Sequence, residues 1–370
     1  MRIDAVMKRI QLLDYGRFLA AISVMAFHYF YSGIHNGKIT SVTYIPQLVA
    51  VAKYGYLGLE FFFMISGYVI FFSAKNRSAS QFAVSRVRRL YPAFWAAVIF
   101  TSVFAVFLGG DKMAVTPSMV FANFTMVPHF FGEGYVDGVY WTLGYELSFY
   151  FLVFCMLLCG LRKKLEFLFL LWPIAIAVAV MFGRYYWPYL GNHYCFFSAG
   201  VILAMLKNRK TIINYLILIL ISYLCVMSAS SKAPELSEQS GMLYSGFTIG
   251  FVIILFFLFF IAVNSKKGSS LSLYGSRLLG GVTYPIYLVH AHFGYMLISR
   301  FATDSNRIVV YPLVFACVLL VAVSIHFFVE LRYSTFWESF FSCVVGRPIS
   351  FLESNFVEVT HFFRKKVLKT

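Results

Sequence analysis

Residues 13–30 read Leu13-Asp14-Tyr15-Gly16-Arg17-Phe18-Leu19-Ala20-Ala21-Ile22-Ser23-Val24-Met25-Ala26-Phe27-His28-Tyr29-Phe30. The run is apolar enough for a membrane helix, yet it carries an arginine and a histidine where a purely structural span would carry leucine. At about 100° per residue, positions 17 and 28 return to within roughly 20° of one face, about 16 Å apart along the axis, or half a bilayer core. Asp14, three residues before Arg17, is placed to pair with it. Ionisable groups at such depth are costly and point to function.

The rest of the chain has the same character. Of 370 residues, 60% are hydrophobic and 12% charged, too apolar for a soluble domain. The apolar residues come in bilayer-length blocks, so the expected fold class is an all-α polytopic membrane protein. Ten transmembrane helices are expected near 13–33, 49–73, 91–109, 139–160, 165–183, 191–206, 211–229, 243–263, 278–299 and 308–330. Lys and Arg divide 23 to 7 between the two sets of connecting segments, with Arg2, Lys8, Arg364, Lys365, Lys366 and Lys369 in the larger set. That bias places both termini in the cytoplasm. Residues 1–330 are expected to form the transmembrane domain, and 331–370 an aromatic and basic cytoplasmic tail lying on the inner membrane surface.

The formal charge of +16 sits in short clusters between apolar blocks. This is the pattern of membrane topology, and it excludes nucleic acid as a partner while making membrane lipids one. Cys155, Cys159, Cys195, Cys225, Cys317 and Cys343 form no CxxC pair, which argues against a disulfide framework or a zinc site. The first apolar run lacks a small-residue cleavage site and is expected to be retained. The outer segment near 110–138, with Asp111, His129, Glu133 and Asp137, is expected to carry a short helix and to be open to an extracytoplasmic ligand.

Several groups are equipped for chemistry. A neutral imidazole at His28, about 8 Å below the outer end of its helix, suits a general base, with bundle hydrogen bonding as the plain alternative. Glu146, in Trp141-Thr142-Leu143-Gly144-Tyr145-Glu146, falls at similar depth on another helix, where a carboxylate could orient the imidazole or bind acceptor hydroxyls. Glu60 is the second carboxylate for that role, or a structural ion-pair partner. Ser66-Gly67 reads as a close-packing position rather than a nucleophile. On the inner side, Ser85-Arg86-Val87-Arg88-Arg89-Leu90-Tyr91-Pro92 either anchors topology or binds phosphate through guanidinium forks. With Arg17 added, a phosphate-bearing cofactor held there would direct a long arm up the first helix toward His28. In Tyr284-Pro285-Ile286-Tyr287-Leu288-Val289-His290-Ala291-His292, the two histidines point to different sides and are poorly placed to share a metal. Tyr284, Tyr287 and His290 could share a polar face, and with Tyr150 and Glu60 they are the candidate substrate-binding residues.

Taken together, these stretches resemble acyltransferase family 3 of integral membrane proteins, over roughly residues 10–295. LDYGRFLAA with His28 is similar to the family's arginine–ten residues–histidine signature. GYLGLEFFFMISGYVIFF is similar to its second helix, SRVRRLYPAFW to its basic stretch before Tyr-Pro, and WTLGYELSFYF to its Trp-Ser-Leu segment, with Thr142 in place of the serine; YPIYLVH matches the late helix.

The resemblance implies transfer of an acyl group, usually acetyl, from cytoplasmic acetyl-CoA or another acyl-CoA to a carbohydrate hydroxyl beyond the membrane. It makes His28 the catalytic histidine and Arg17 the essential helix-1 arginine, and it places Arg86 and Arg89 at the donor-binding inner face. Asp14 would hold Arg17, Arg88 would join the phosphate site, and no metal is expected. The chain resembles the stand-alone type, without an extracytoplasmic hydrolase-like domain, acting on O-antigen, exopolysaccharide or lipo-oligosaccharide, free or lipid-linked, in the bacterial inner membrane. The rival reading is a glycan transporter or flippase using the same intramembrane charges; a third is a structural subunit of a polysaccharide assembly.

Overall fold

In the computed structural model, residues 9–354 are described; Arg2, Lys8 and the basic residues from Arg364 onward, used in the charge count, lie outside them. The described chain is built of helices without strands. In order, the main helices are α1 (Gln11–Phe27), α2 (Gly58–Lys75), α3 (Ala79–Leu108), α4 (Trp141–Leu158), α5 (Leu165–Met181) and α6 (Tyr194–Asn208). They continue with α7 (Ile212–Ser230), α8 (Gly246–Asn264), α9 (Ser276–Val289), α10 (Ala291–Phe301), α11 (Arg307–Ile325) and α12 (Ser334–Phe341).

Each expected span has a helical counterpart, and eight helical stretches among the described residues are long and apolar enough to cross a membrane. The protein is an all-α polytopic membrane protein. Two expected spans differ in form. The sixth is a 15-residue helix, about 22 Å long, and Tyr194 through Leu206 are all buried. Such a helix, apolar all round, belongs at the centre of a bundle. The ninth is interrupted at His290, between α9 and α10. Pro285 has already removed one backbone donor, and the His290 Nδ1–H donates to the Tyr287 carbonyl at 2.8 Å, drawing an acceptor out of the helical ladder.

The tightest helix pair is α2 against α6, and small residues permit it. A Cβ on Gly67 would lie 2.0 Å from the Phe197 carbonyl oxygen, and one on Gly200 1.9 Å from that of Met64. Backbones so close need glycine on both sides. Helix α1 packs on α2 and α9, and α9 packs in turn on α3 and α11. Helix α3 starts with a capping box, Ser78 and Gln81 bonding reciprocally to each other's backbone N–H.

The segment near 110–138 does carry a short helix, Pro117–Asn123, and is stapled by buried Asn123, which bonds to Met119, Gly134 and Val136 backbone atoms. Through residue 354 the tail packs along α3, with Trp337 against Trp95 and Phe341 against Tyr91. The remainder lies outside the described residues.

Candidate active site

Helix α1 does not end at Phe27. From His28 to Ser32 it widens into a π-helical turn, then returns to α geometry over Gly33–His35. Such turns insert one residue per circuit and recur at functional positions. Here the widening begins at the histidine.

The imidazole of His28 meets two groups from the α9–α10 stretch. Its Nδ1 is hydrogen-bonded to the Tyr295 hydroxyl. Its ring is 4.9 Å, edge to face, from that of His290, whose Nε2 is buried with no hydrogen-bond partner among the described residues. Beyond Tyr295 lies His292, whose Nε2 accepts from the Lys38 ammonium at 2.6 Å and from the Gly138 N–H at 3.3 Å. Buried Asp137 closes this shell by accepting from the His292 and Val139 N–H groups at 2.8 and 3.1 Å. Burial pushes the Lys38 ammonium below the usual lysine value, while the Asp137 carboxylate opposes that shift.

The expected carboxylate partners of His28 are elsewhere. Glu146 faces the arginine side of the bundle, in a cavity with Ser66 and Tyr150. Glu60 pairs with His193, its two oxygens 3.0 and 3.1 Å from Nδ1. Equal depth on two helices did not bring His28 and Glu146 together, because Glu146 lines the cavity on the guanidinium side of the bundle.

That cavity, about 640 Å³, is lined by Arg17, Arg77, Arg86, Arg88 and Arg89, with Glu146, Tyr150, Tyr284 and Tyr287. Its size is that of a small-ligand or cofactor site. Arg17 reaches it from α1 and lies 3.8 Å from Asp14 Oδ1. Asp14 binds Arg9 more closely, Nε to Oδ2 at 2.7 Å, so the expected pair is one side of a three-residue cluster. Arg86 lies over the rings of Phe82 and Tyr150, each at 5.8 Å, and its Nε is buried without a hydrogen-bond partner among the described residues. Arg89 lies over Tyr284, whose hydroxyl donates to the Leu90 carbonyl at 3.1 Å. A set of guanidinium groups with a buried unmatched N–H fits an anionic group with several oxygens.

Toward His28 the cavity ends at a polar wall. The Tyr287 hydroxyl is 2.5 Å from Thr142 Oγ1 and donates to the Val139 carbonyl at 3.0 Å. The Tyr287 ring is 5.6 Å from His290, which touches His28. The site thus has two compartments, an arginine cavity and a histidine cluster, with Tyr287 lining the first and packed on His290 of the second. Among the described residues no group of three or more His, Cys, Asp or Glu is arranged to hold a metal ion.

The family model described as an acyltransferase domain, that of acyltransferase family 3, matches residues 10–327. The chain belongs to acyltransferase family 3. A curated relative, Nodulation protein 10 of Rhizobium leguminosarum bv. viciae, is 27% identical over 224 residues, which is 53% of this chain. The chain spans about 60% of that relative's length. No solved structure matches. The matched range draws both compartments into one family domain. Sequence reasoning missed Tyr295, Lys38, His193, Glu330 and Glu338. Only Glu330 stands at a helical spacing from a partner, four residues after His326; the others meet theirs across the bundle, and for Tyr295 only the proximity of His290 and His292 to the YPIYLVH motif gave a hint.

Proposed function

We propose that this family member is an O-acyltransferase of a bacterial inner membrane, moving an acetyl or other acyl group from cytoplasmic acyl-CoA to a hydroxyl of a cell-surface carbohydrate, free or lipid-linked. The observation that carries the reading is the two-compartment site, with guanidinium groups on one side of the Tyr287–Thr142 wall and His28 just beyond it. Donor phosphates would pair with Arg17, Arg86, Arg88 and Arg89. The pantetheine arm would then run along α1 and bring the thioester to the wall, which must part for the acyl carbon to meet the acceptor.

The chemistry then needs one imidazole. His28 takes the proton of the acceptor hydroxyl, whose oxygen bonds to the thioester carbonyl carbon. The C–S bond breaks, and the thiolate recovers the proton from the imidazolium. A second route has His28 attack the thioester itself, forming an acyl-imidazole that the hydroxyl then cleaves. Acid-quenched single turnovers separate the two, since only the second leaves label on the protein.

The test uses purified protein in nanodiscs with labelled acetyl-CoA and a de-O-acetylated surface glycan. Labelled glycan is expected, falling by about 10²- to 10⁴-fold in His28→Ala. Glycan movement in liposomes without any acylated product would establish the transporter instead. An unchanged cell-surface glycan in a His28→Ala strain would favour the structural subunit.

A further inference from the structure

The matched family domain ends at residue 327. Beyond it, Glu330, Leu331, Ser334, Trp337 and Glu338 still line the arginine cavity. We propose that this C-terminal segment completes the polyanion site of that cavity, with Glu338 as an exchangeable counter-anion on Arg88 and Glu330 as a fixed orienting group on Arg89. The proposal rests on the reading of the cavity as a polyanion site.

The segment is docked at several points. The Trp337 indole N–H donates to the Val329 carbonyl at 2.9 Å, and its ring stacks on Phe341. Ser80 Oγ donates to the Gly346 carbonyl at 2.8 Å. The Glu353 carboxylate accepts from the Ala79 and Ser80 N–H groups at 3.1 and 3.4 Å, at the positive end of the α3 dipole. The cavity wall from 330 to 338 is therefore held from both sides.

The two carboxylates on it are held very differently. Glu338 Oε2 meets Arg88 Nη1 at 2.8 Å, with 58% of the glutamate and 41% of the arginine side chain exposed. An ion pair that open to water is weak and screened by salt, and a phosphate that binds guanidinium through several oxygens outcompetes it. Glu330 is 13% exposed and is gripped twice, by Arg89 Nη1 at 3.2 Å and by His326 Nδ1 at 2.6 Å. Its second partner keeps it in place when Arg89 turns to a ligand, so it sets the direction in which that guanidinium points. Neighbouring arginines thus carry carboxylates of opposite effect: one competes with the polyanion, the other prepares its site.

Opposite signs make the test sharp. Tripolyphosphate binding to the full chain in nanodiscs is measured by calorimetry at low and high salt. Glu338→Gln, a substitution at an exposed side chain, is expected to bind about two- to five-fold tighter than the parent at low salt, the gain vanishing at high salt. Glu330→Gln is expected to bind at least several-fold weaker. Equal or weaker binding by Glu338→Gln overturns its exchangeable role, and unchanged binding by Glu330→Gln overturns the orienting role. Absence of tripolyphosphate binding in the parent overturns the whole inference. Tripolyphosphate binding with this pattern but no binding of CoA leaves the inference standing and removes the donor reading alone. If Glu330→Gln lowers the unfolding temperature, Glu330→Asp, which keeps the charge, is expected to restore part of the affinity.

Discussion

The Nδ1 atom of His28 is hydrogen-bonded to the hydroxyl of Tyr295, a residue 267 positions further along the chain. With the hydroxyl accepting from Nδ1–H, Nε2 is left bare and able to take a proton. On the proposed role of His28 as base, Tyr295 is a positioning residue. Tyr295→Phe is expected to lower turnover by roughly 10- to 100-fold with the KM for acyl donor unchanged. Equal changes in both constants would instead assign Tyr295 to packing. A steady-state series with labelled donor distinguishes them.

The close approach of α2 and α6 predicts which glycines tolerate a methyl group. Gly67→Ala and Gly200→Ala each force a Cβ to about 2 Å from a carbonyl oxygen, and overpacking of this kind costs about 1–3 kcal/mol. A Cβ on Gly144 of α4 would meet nothing within 4 Å, so Gly144→Ala should leave stability unchanged or improved. Unfolding temperatures in detergent for the three variants check the contrast.

Gly280 on α9 is the floor on which Asp14 rests, since a Cβ there would lie 2.3 Å from Asp14 Oδ1. Gly280→Ala should push the carboxylate off Arg9 and Arg17. Asp14→Asn removes the charge from the same pair. Both are expected to lower stability, the cost of leaving the half-buried Arg17 under-compensated being about 1–3 kcal/mol. Unfolding temperatures of the two variants in detergent measure it.

Much of this organisation is legible in the sequence, and the limits have physical causes. The spans follow from hydropathy, because nothing else satisfies a backbone in lipid. Arg17 and His28 share a face because helical periodicity carries over eleven residues. The Ser66-Gly67 reading also agrees with the packing, since Gly67 meets the α6 backbone. Partner choice was not legible. Depth along a helix locates a side chain in one dimension only, so Glu146 and His28 read as neighbours although they face different compartments. Glu60 found His193, and His28 found Tyr295, through rotations and tilts that depend on the whole bundle. Arg88 and Arg89 read as anion binders or topology anchors, but hydropathy assigns no partner to Glu330, at the end of the last expected span, or to Glu338, on the tail beyond it.

One tie outside the membrane gives a pH dependence. The Asp304 carboxylate accepts from the Thr43 N–H at 2.8 Å, and also from the Thr43 hydroxyl and Arg307, which hold its pKa below the usual 3.8. A depressed carboxyl stabilises above its ordinary value and loses that contribution as pH falls through the lower folded-state value. Protection of the Thr43 amide, corrected for intrinsic exchange, should be constant from about pH 5 to 8 and fall below about pH 4. Asp304→Asn should remove the dependence.

The widened turn at His28–Ser32 also constrains the length of the chain there, apart from its chemistry. Deleting any single residue within it would let the helix relax to ordinary winding, rotating the residues before the turn by about 100° against those after it. Either His28 would leave Tyr295, or Phe30 would leave the Tyr311 ring on which it stacks at 4.9 Å. In this stretch a one-codon deletion, even of a residue whose side chain does nothing, should disable the protein as thoroughly as loss of the imidazole.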